Sequence, residues 1–262
     1  MNTSVTVNTD SRGVASVCLN RPDKHNAFDD EMIARLNTVF SELADDKTVR
    51  VVILRSEGKS FSAGADLNWM KRMASYSHEE NLRDARLLAN MLKTLNTLPK
   101  PTIALIQGAA FGGAVGLTSC CDIALASPRA SFSLSEVKIG LIPATISPYV
   151  IEAMGARAAR RYFLSGERFG ASKALALGLI SEIFEAEEFE VELQKLIDTL
   201  LLNSPQAIVQ AKRLVADVAR ESISNELIEE TCRRIADIRI SPEGQEGLSA
   251  FLEKRSPTWI EE

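Results

Sequence analysis

The sequence predicts an α/β core with a helical C-terminal portion. Three observations predict it. Through the first two-thirds of the chain, short β-branched or apolar runs alternate with amphipathic segments. After Gly140 the patterning is almost entirely helical, and Ser147-Pro148, Ser204-Pro205 and Ser241-Pro242 each offer an N-cap followed by Pro at the first helical position. No fixed-period repeat or low-complexity linker divides the 262 residues, which suit one large domain or a domain with an appendage.

The elements follow in order. Val14 to Leu19 reads as a strand, broken by Arg21-Pro22-Asp23-Lys24. Asp29 or Asp30 caps a helix whose apolar face is Met32, Ile33, Leu36, Val39, Phe40 and Leu43. Val49 to Leu54 is a buried strand by its continuous apolar run. Leu67 to Met73 forms a short helix. Ser77 and Glu80 form a capping box for a helix running through Leu98, ended by Pro99 and Pro101. Thr102 to Ile106 is a strand, Gly112-Gly113 a turn, and Ala114 to Ser119 a helix of small residues. Ile123 to Ala126 and Ser131 to Ser133 are further strands.

Composition excludes several classes of function. Hydrophobic residues make up 45% and charged residues 25%, the balance of an ordinary globular chain. A net charge of −5 without a basic stripe disfavours nucleic acid. The 4 cysteines, Cys18, Cys120, Cys121 and Cys232, have neither zinc-knuckle nor C-x-x-C spacing and read as free thiols. No His/Cys cluster suggests a metal, and no P-loop or dinucleotide fingerprint appears. Met1 to Asp10 shows no basic segment followed by an apolar run, and no stretch approaches the ~20 apolar residues of a membrane span. These features lead to the expectation of a soluble, cytoplasmic protein without a membrane partner.

Two runs of tiny residues carry the chemistry: Ser62-Ala63-Gly64-Ala65-Asp66 and Gly112-Gly113-Ala114. Each enters a helical segment, so each offers unpaired N–H groups backed by the positive end of a helix dipole. The candidate donors are the N–H groups of Ala65 and Gly113. Each turn alone reads more readily as tight strand-to-helix packing. Together they predict a main-chain site for a developing oxyanion.

These segments resemble the crotonase (enoyl-CoA hydratase/isomerase) superfamily. The matching residues are Leu19-Asn20-Arg21-Pro22 with Asn26-Ala27, Phe61 to Leu67, Gly108 to Gly113, Cys121-Asp122-Ile123, Glu136 to Pro143, and Phe251 to Arg255. The resemblance implies a spiral of ββα units, with residues 1–200 as a CoA-binding core and residues 201–262 as a helical trimerisation region. It further implies assembly as a homotrimer or dimer of trimers. The implied ligand is an acyl-CoA thioester whose carbonyl oxygen lies between the N–H groups of Ala65 and Gly113. Coenzyme A is part of that substrate, so no separate cofactor is expected. The resemblance makes Glu136 the catalytic carboxylate, a residue otherwise readable as a solvated surface Glu.

The sequence also departs from the family pattern. Hydratases typically carry a second Glu twenty positions before the first, and that position here is Gly116. Ala144-Thr145-Ile146-Ser147-Pro148 replaces the usual Gly-Gly-Thr run beside the acyl pocket. The segment Ser133 to Ala144 with Ile146-Ser147-Pro148 most resembles bacterial methylglutaconyl-CoA hydratases. That resemblance implies hydration of 3-methylglutaconyl-CoA or a related branched enoyl-CoA. Its distal carboxylate is then expected on Lys71 or Arg72, helping to position water where Gly116 leaves space. The rival readings are a Δ3–Δ2 enoyl-CoA isomerase working with one carboxylate and a noncatalytic acyl-CoA-binding subunit.

For coenzyme A, the resemblance points to Lys24 and Lys59 near the phosphates and to Ala63 and Asp66 beside the adenine. Lys254 is implied to reach a neighbouring subunit's ligand. Each lysine is equally readable as a solvated side chain. Asp122 reads as structural, and His25 and His78 are not expected to be catalytic.

Overall fold

In the computed structural model, which describes residues 4–185 and 187–260, strands and helices alternate as the patterning requires. Met1 to Thr3, the start of the N-terminal stretch read above, lie outside the described residues. The strands are β1 (Val5–Thr9), β2 (Val14–Leu19), β3 (Val51–Ser56), β4 (Thr102–Ile106), β5 (Ala109–Phe111), β6 (Ile123–Ala126), β7 (Ser131–Ser133), β8 (Phe169–Gly170) and β9 (Glu182–Ile183). The helices are α1 (Asp30–Asp45), α2 (Leu67–Met73), α3 (His78–Asn96), α4 (Gly113–Cys120), α5 (Ser147–Ser165), α6 (Ala171–Ala176), α7 (Phe189–Leu201), α8 (Pro205–Val218), α9 (Asn225–Ile240) and α10 (Pro242–Glu253).

The larger sheet runs β1-β2-β3-β4-β6-β9, antiparallel at β1–β2 and parallel thereafter. Strand alternation divides its two faces. Val52, Leu54, Ala104 and Ile106 point into the main core with α1, α3 and α4. Val51, Ile53, Ile103 and Leu105 point the other way, against Leu193 and Ile197 of α7. Both faces are therefore covered, which is why β3 and β4 read as unbroken apolar runs.

A second sheet, β5-β7-β8, stands beside the first. Isolated bridges extend it: Ser62 pairs with Ala110, and Phe28 pairs with Ala65. Each turn of the chain thus gives one strand to the large sheet, a short extended piece to the second, and then a helix. This is the expected spiral of ββα units, and the C-terminal helices follow it.

Several local expectations hold in detail. Asp29 caps α1, accepting the Met32 N–H at 2.9 Å, and the buried face is the one the periodicity predicts. Ser77 and Glu80 form the full capping box of α3. That helix stops at Asn96 instead of Leu98, because a residue before proline is pushed out of the α region. Ser204 and Ser241 cap α8 and α10. Ser147 does not cap α5. Its hydroxyl donates to the Ala144 carbonyl at 2.8 Å, Ile146 holds the N-cap position, and the helix is interrupted at Gly155 (φ 78°). β1, β5, β8 and β9 have no counterpart in the sequence reading, since each is too short or too exposed to show a pattern.

Candidate active site

Three neighbouring extended segments of the second layer bring the site together. The Ser62 N–H donates to the Ala109 carbonyl at 3.0 Å, and the Phe111 N–H donates to the Ser62 carbonyl at 3.0 Å. The Gly112 N–H donates to the Ser133 carbonyl at 2.9 Å. These bonds run residues 61–62, β5 and β7 parallel and side by side. Ala65, Gly113 and Glu136 follow directly from their three C-terminal ends. Ligands bind at this edge of parallel sheets because loops from adjacent strands converge there.

The first turn is held from both sides by Phe28. Its N–H donates to the Gly64 carbonyl at 2.7 Å, and its carbonyl accepts the Asp66 N–H at 2.6 Å. This bonding leaves the Ala65 N–H unused. The second turn passes through Gly112 at φ 54°, ψ −119°, a backbone state open to glycine alone. Gly113 then opens α4, so its N–H has no intrahelical acceptor. Among the described residues, no acceptor meets the N–H of Ala65 or of Gly113.

Glu136 begins a 3-10 turn, Glu136–Ile139, just after β7. Its carboxyl lies against the second turn: a Cβ on Gly112 would stand 3.1 Å from Glu136 Oε1. Oε2 is buried and has no hydrogen-bond partner among the described residues. Burial raises the carboxyl pKa above the ordinary glutamate range. A half-buried acid with one oxygen unpaired and its pKa raised by burial suits proton transfer more than structure.

These groups line a cleft of about 390 Å³. One wall is Ala63, Gly64 and Ala65, and the other is Gly112, Gly113 and Glu136. Trp69, Met73 and Leu88 close it with Ile142 and Ile146. The polar side-chain groups on it are Ser135, Glu136, Thr145 and the Trp69 indole N–H, and among the described residues no Lys, Arg or His lines it.

The remaining expected residues are distributed differently. Asp66 is committed to the fold: Oδ1 caps α2 through the Asn68 and Trp69 N–H groups, while Oδ2 meets Arg21 at 3.1 Å and Lys24 at 3.6 Å. Arg21 also pairs with Asp29, so one guanidinium ties the caps of α1 and α2 together. Lys24 sits next to the Ala63 turn, because the Ala63 N–H donates to the His25 carbonyl at 2.9 Å. Lys59 is exposed in the turn after β3, and Lys254 is exposed in left-handed backbone (φ 57°) at the end of α10. Neither lines the cleft.

Two expectations fail on geometry. Arg72 is held by Asp30 at 2.5 Å, and neither it nor Lys71 lines the cleft. Gly116 leaves no space for water: a Cβ there would lie 2.4 Å from Ile146 Cγ2 and 2.9 Å from Ile146 Cβ. Asp122 is structural as read, its carboxylate accepting from Thr102 N–H and hydroxyl at 2.8 Å and from Lys212 at 2.7 Å. Sequence reasoning missed Trp69, Leu88 and the contact of Ile146 with Gly116. No motif marks them, since they reach the cleft only through tertiary packing.

The sequence pattern of enoyl-CoA hydratase/isomerase matches residues 9–262. The chain is similar to a crystallised enoyl-CoA hydratase from Shewanella pealeana, with a TM-score of 0.95 and 51% identity, covering 98% of this chain and 96% of that one. A Mycobacterium smegmatis enoyl-CoA hydratase structure superposes with a TM-score of 0.91 at 30% identity, covering 98% of each chain. Among curated relatives, a mitochondrial Delta(3,5)-Delta(2,4)-dienoyl-CoA isomerase from Dictyostelium discoideum is 31% identical over 259 residues, 95% of this chain and 88% of that protein.

Proposed function

The chain belongs to the enoyl-CoA hydratase/isomerase family, and from that premise we propose that it hydrates a branched 2-enoyl-CoA, with Glu136 as its one acid–base residue. The observation that carries this reading is the half-buried Glu136 carboxyl beside the Gly112-Gly113 turn, its buried Oε2 without a hydrogen-bond partner among the described residues. The thioester oxygen accepts from the N–H groups of Ala65 and Gly113, which draws electron density from C3 and stabilises the enolate. Glu136 takes a proton from water as the water oxygen bonds to C3. The same carboxyl then returns that proton to C2, collapsing the enolate and leaving Glu136 ionised. Ser135 and Thr145 are the other hydroxyl side chains on the cleft able to hold that water.

The specific substrate to test is 3-methylglutaconyl-CoA. With no cation among the described residues of the cleft wall, its distal carboxylate would stand at the solvent-facing mouth. The nucleotide end of coenzyme A leaves past the Ala63 turn toward Lys24 and Lys59. Exposed apolar side chains on the last helices, Ile240, Phe251 and Leu252 among them, support self-association as a trimer.

One observation favours a second reading. Ile146 fills the place a second carboxylate would need, and a single carboxylate suffices to carry a proton from C2 to C4 in Δ3–Δ2 isomerisation. A panel of purified acyl-CoA thioesters separates the readings. Loss of enoyl absorbance reports hydration, and its gain from a 3-enoyl substrate reports isomerisation. Tight binding without turnover on any member would leave the noncatalytic binder.

A further inference from the structure

We infer that Ile146 is the specificity-determining residue of the cleft, forming an aliphatic wall that receives an alkyl substituent on C3 of the acyl chain. The inference rests on the enoyl-CoA reading above and deepens it. Gly113 and Gly116 lie three residues apart and so share one face of α4, about 4.5 Å apart along its axis. The Gly113 N–H sets where the thioester oxygen lies. C3 is two bonds from the carbonyl carbon, so it stays in the cleft within reach of Gly113, where Ile146 is also on the wall.

Ile146 reaches that wall by packing over Gly116, one turn further along α4. Its Cγ2 comes so close that no side chain fits at position 116, and Leu92 Cδ2 would stand 3.4 Å from a Cβ on the same glycine. The isoleucine is firmly placed: it is 2% exposed, belongs to the main core, and accepts the Val150 N–H at 3.1 Å as α5 begins. It nevertheless lines the cleft, beside Pro143 and Thr145. A hydrogen at C3 leaves a gap against this wall and forfeits its contacts, whereas a methyl group fills it. One methyl group in an apolar pocket discriminates by roughly tenfold or more in kcat/KM.

The test compares substrates that differ by that methyl group. Crotonyl-CoA and 3-methylcrotonyl-CoA are assayed for kcat/KM, and butyryl-CoA and isovaleryl-CoA, their saturated counterparts, for dissociation constant. The expected result is a preference for the methylated member of each pair, roughly tenfold in kcat/KM and about three- to fourfold in binding. Ile146→Ala should erase both preferences, and the gentler Ile146→Val should reduce them in a protein whose core is barely disturbed. Equal or reversed preference in the wild-type chain, or an unchanged ratio in both variants, overturns the inference. Should neither enoyl thioester turn over, the activity reading fails by itself, and the binding ratios still decide the role of Ile146.

Discussion

Ile146 Cγ2 lies 2.4 Å from the point where Gly116 would carry a Cβ. The two positions are a coupled pair, one residue large because the other is absent. A carboxylate cannot be placed at 116 by a single substitution, so among the described residues Glu136 is the one acid on the cleft wall.

The coupling is measurable as stability. Gly116→Ala overpacks a buried site and should destabilise the fold by about 1–2 kcal/mol, overriding the usual helix-propensity gain of alanine over glycine. In an Ile146→Ala background the same change should cost little or improve stability. Urea unfolding of the four-member cycle gives the coupling energy, and additive effects would show that the two side chains do not meet.

Glu136 makes stability depend on pH. Burial favours its protonated form, so the folded pKa lies above the unfolded one. Its contribution is fully present below the unfolded pKa and is lost as pH rises through the folded value. Glu136→Gln, neutral at every pH, should therefore be more stable than wild type near pH 7, with the difference vanishing in acid. Melting temperatures across that range check the sign. Turnover should fall on the acidic side at an apparent pKa above that of an ordinary glutamate.

Arg21 joins the caps that frame the first donor turn. Its side chain is 14% exposed and its partners Asp29 and Asp66 are 19% and 8% exposed. Arg21→Met leaves two largely buried carboxylates without it and should cost about 3 kcal/mol. Denaturant unfolding measures the loss, and a change under 1 kcal/mol would show that the bridge does not hold the caps.

Thiol chemistry should be selective. Cys18 and Cys120 are buried, and burial pushes the Cys18 thiol up to about 11 and the Cys121 thiol up to about 12. Burial therefore keeps Cys18 as the unreactive thiol. Cys232, exposed on α9, should label with iodoacetamide in the native protein while the other three wait for unfolding. Peptide mapping by mass spectrometry reads the order.

The caps, the buried strands and both small-residue turns were legible in the sequence because each is a local signal. Asp29 before Met32, Ser77 before Glu80, and Gly112-Gly113 before a helix state their chemistry within a few residues. Glu136 was legible only through its resemblance to a family, since a Glu after a short strand says nothing of its burial. The wall of the cleft was not legible. Trp69, Leu88 and Ile146 arrive from α2, α3 and the start of α5, and their meeting is a property of packing. Gly116 shows the difference most clearly: read alone, a glycine means space, but folded against Ile146 it means the lack of it.

The account rests on one carboxylate acting on an oxyanion held by two backbone N–H groups. The direct test is steady-state turnover of Glu136→Gln on the best enoyl-CoA of the substrate panel, with the dissociation constant of a saturated acyl-CoA measured on the same preparation. The account predicts a fall in kcat of roughly 10²–10⁴ with binding retained. Turnover near the wild-type rate would contradict it.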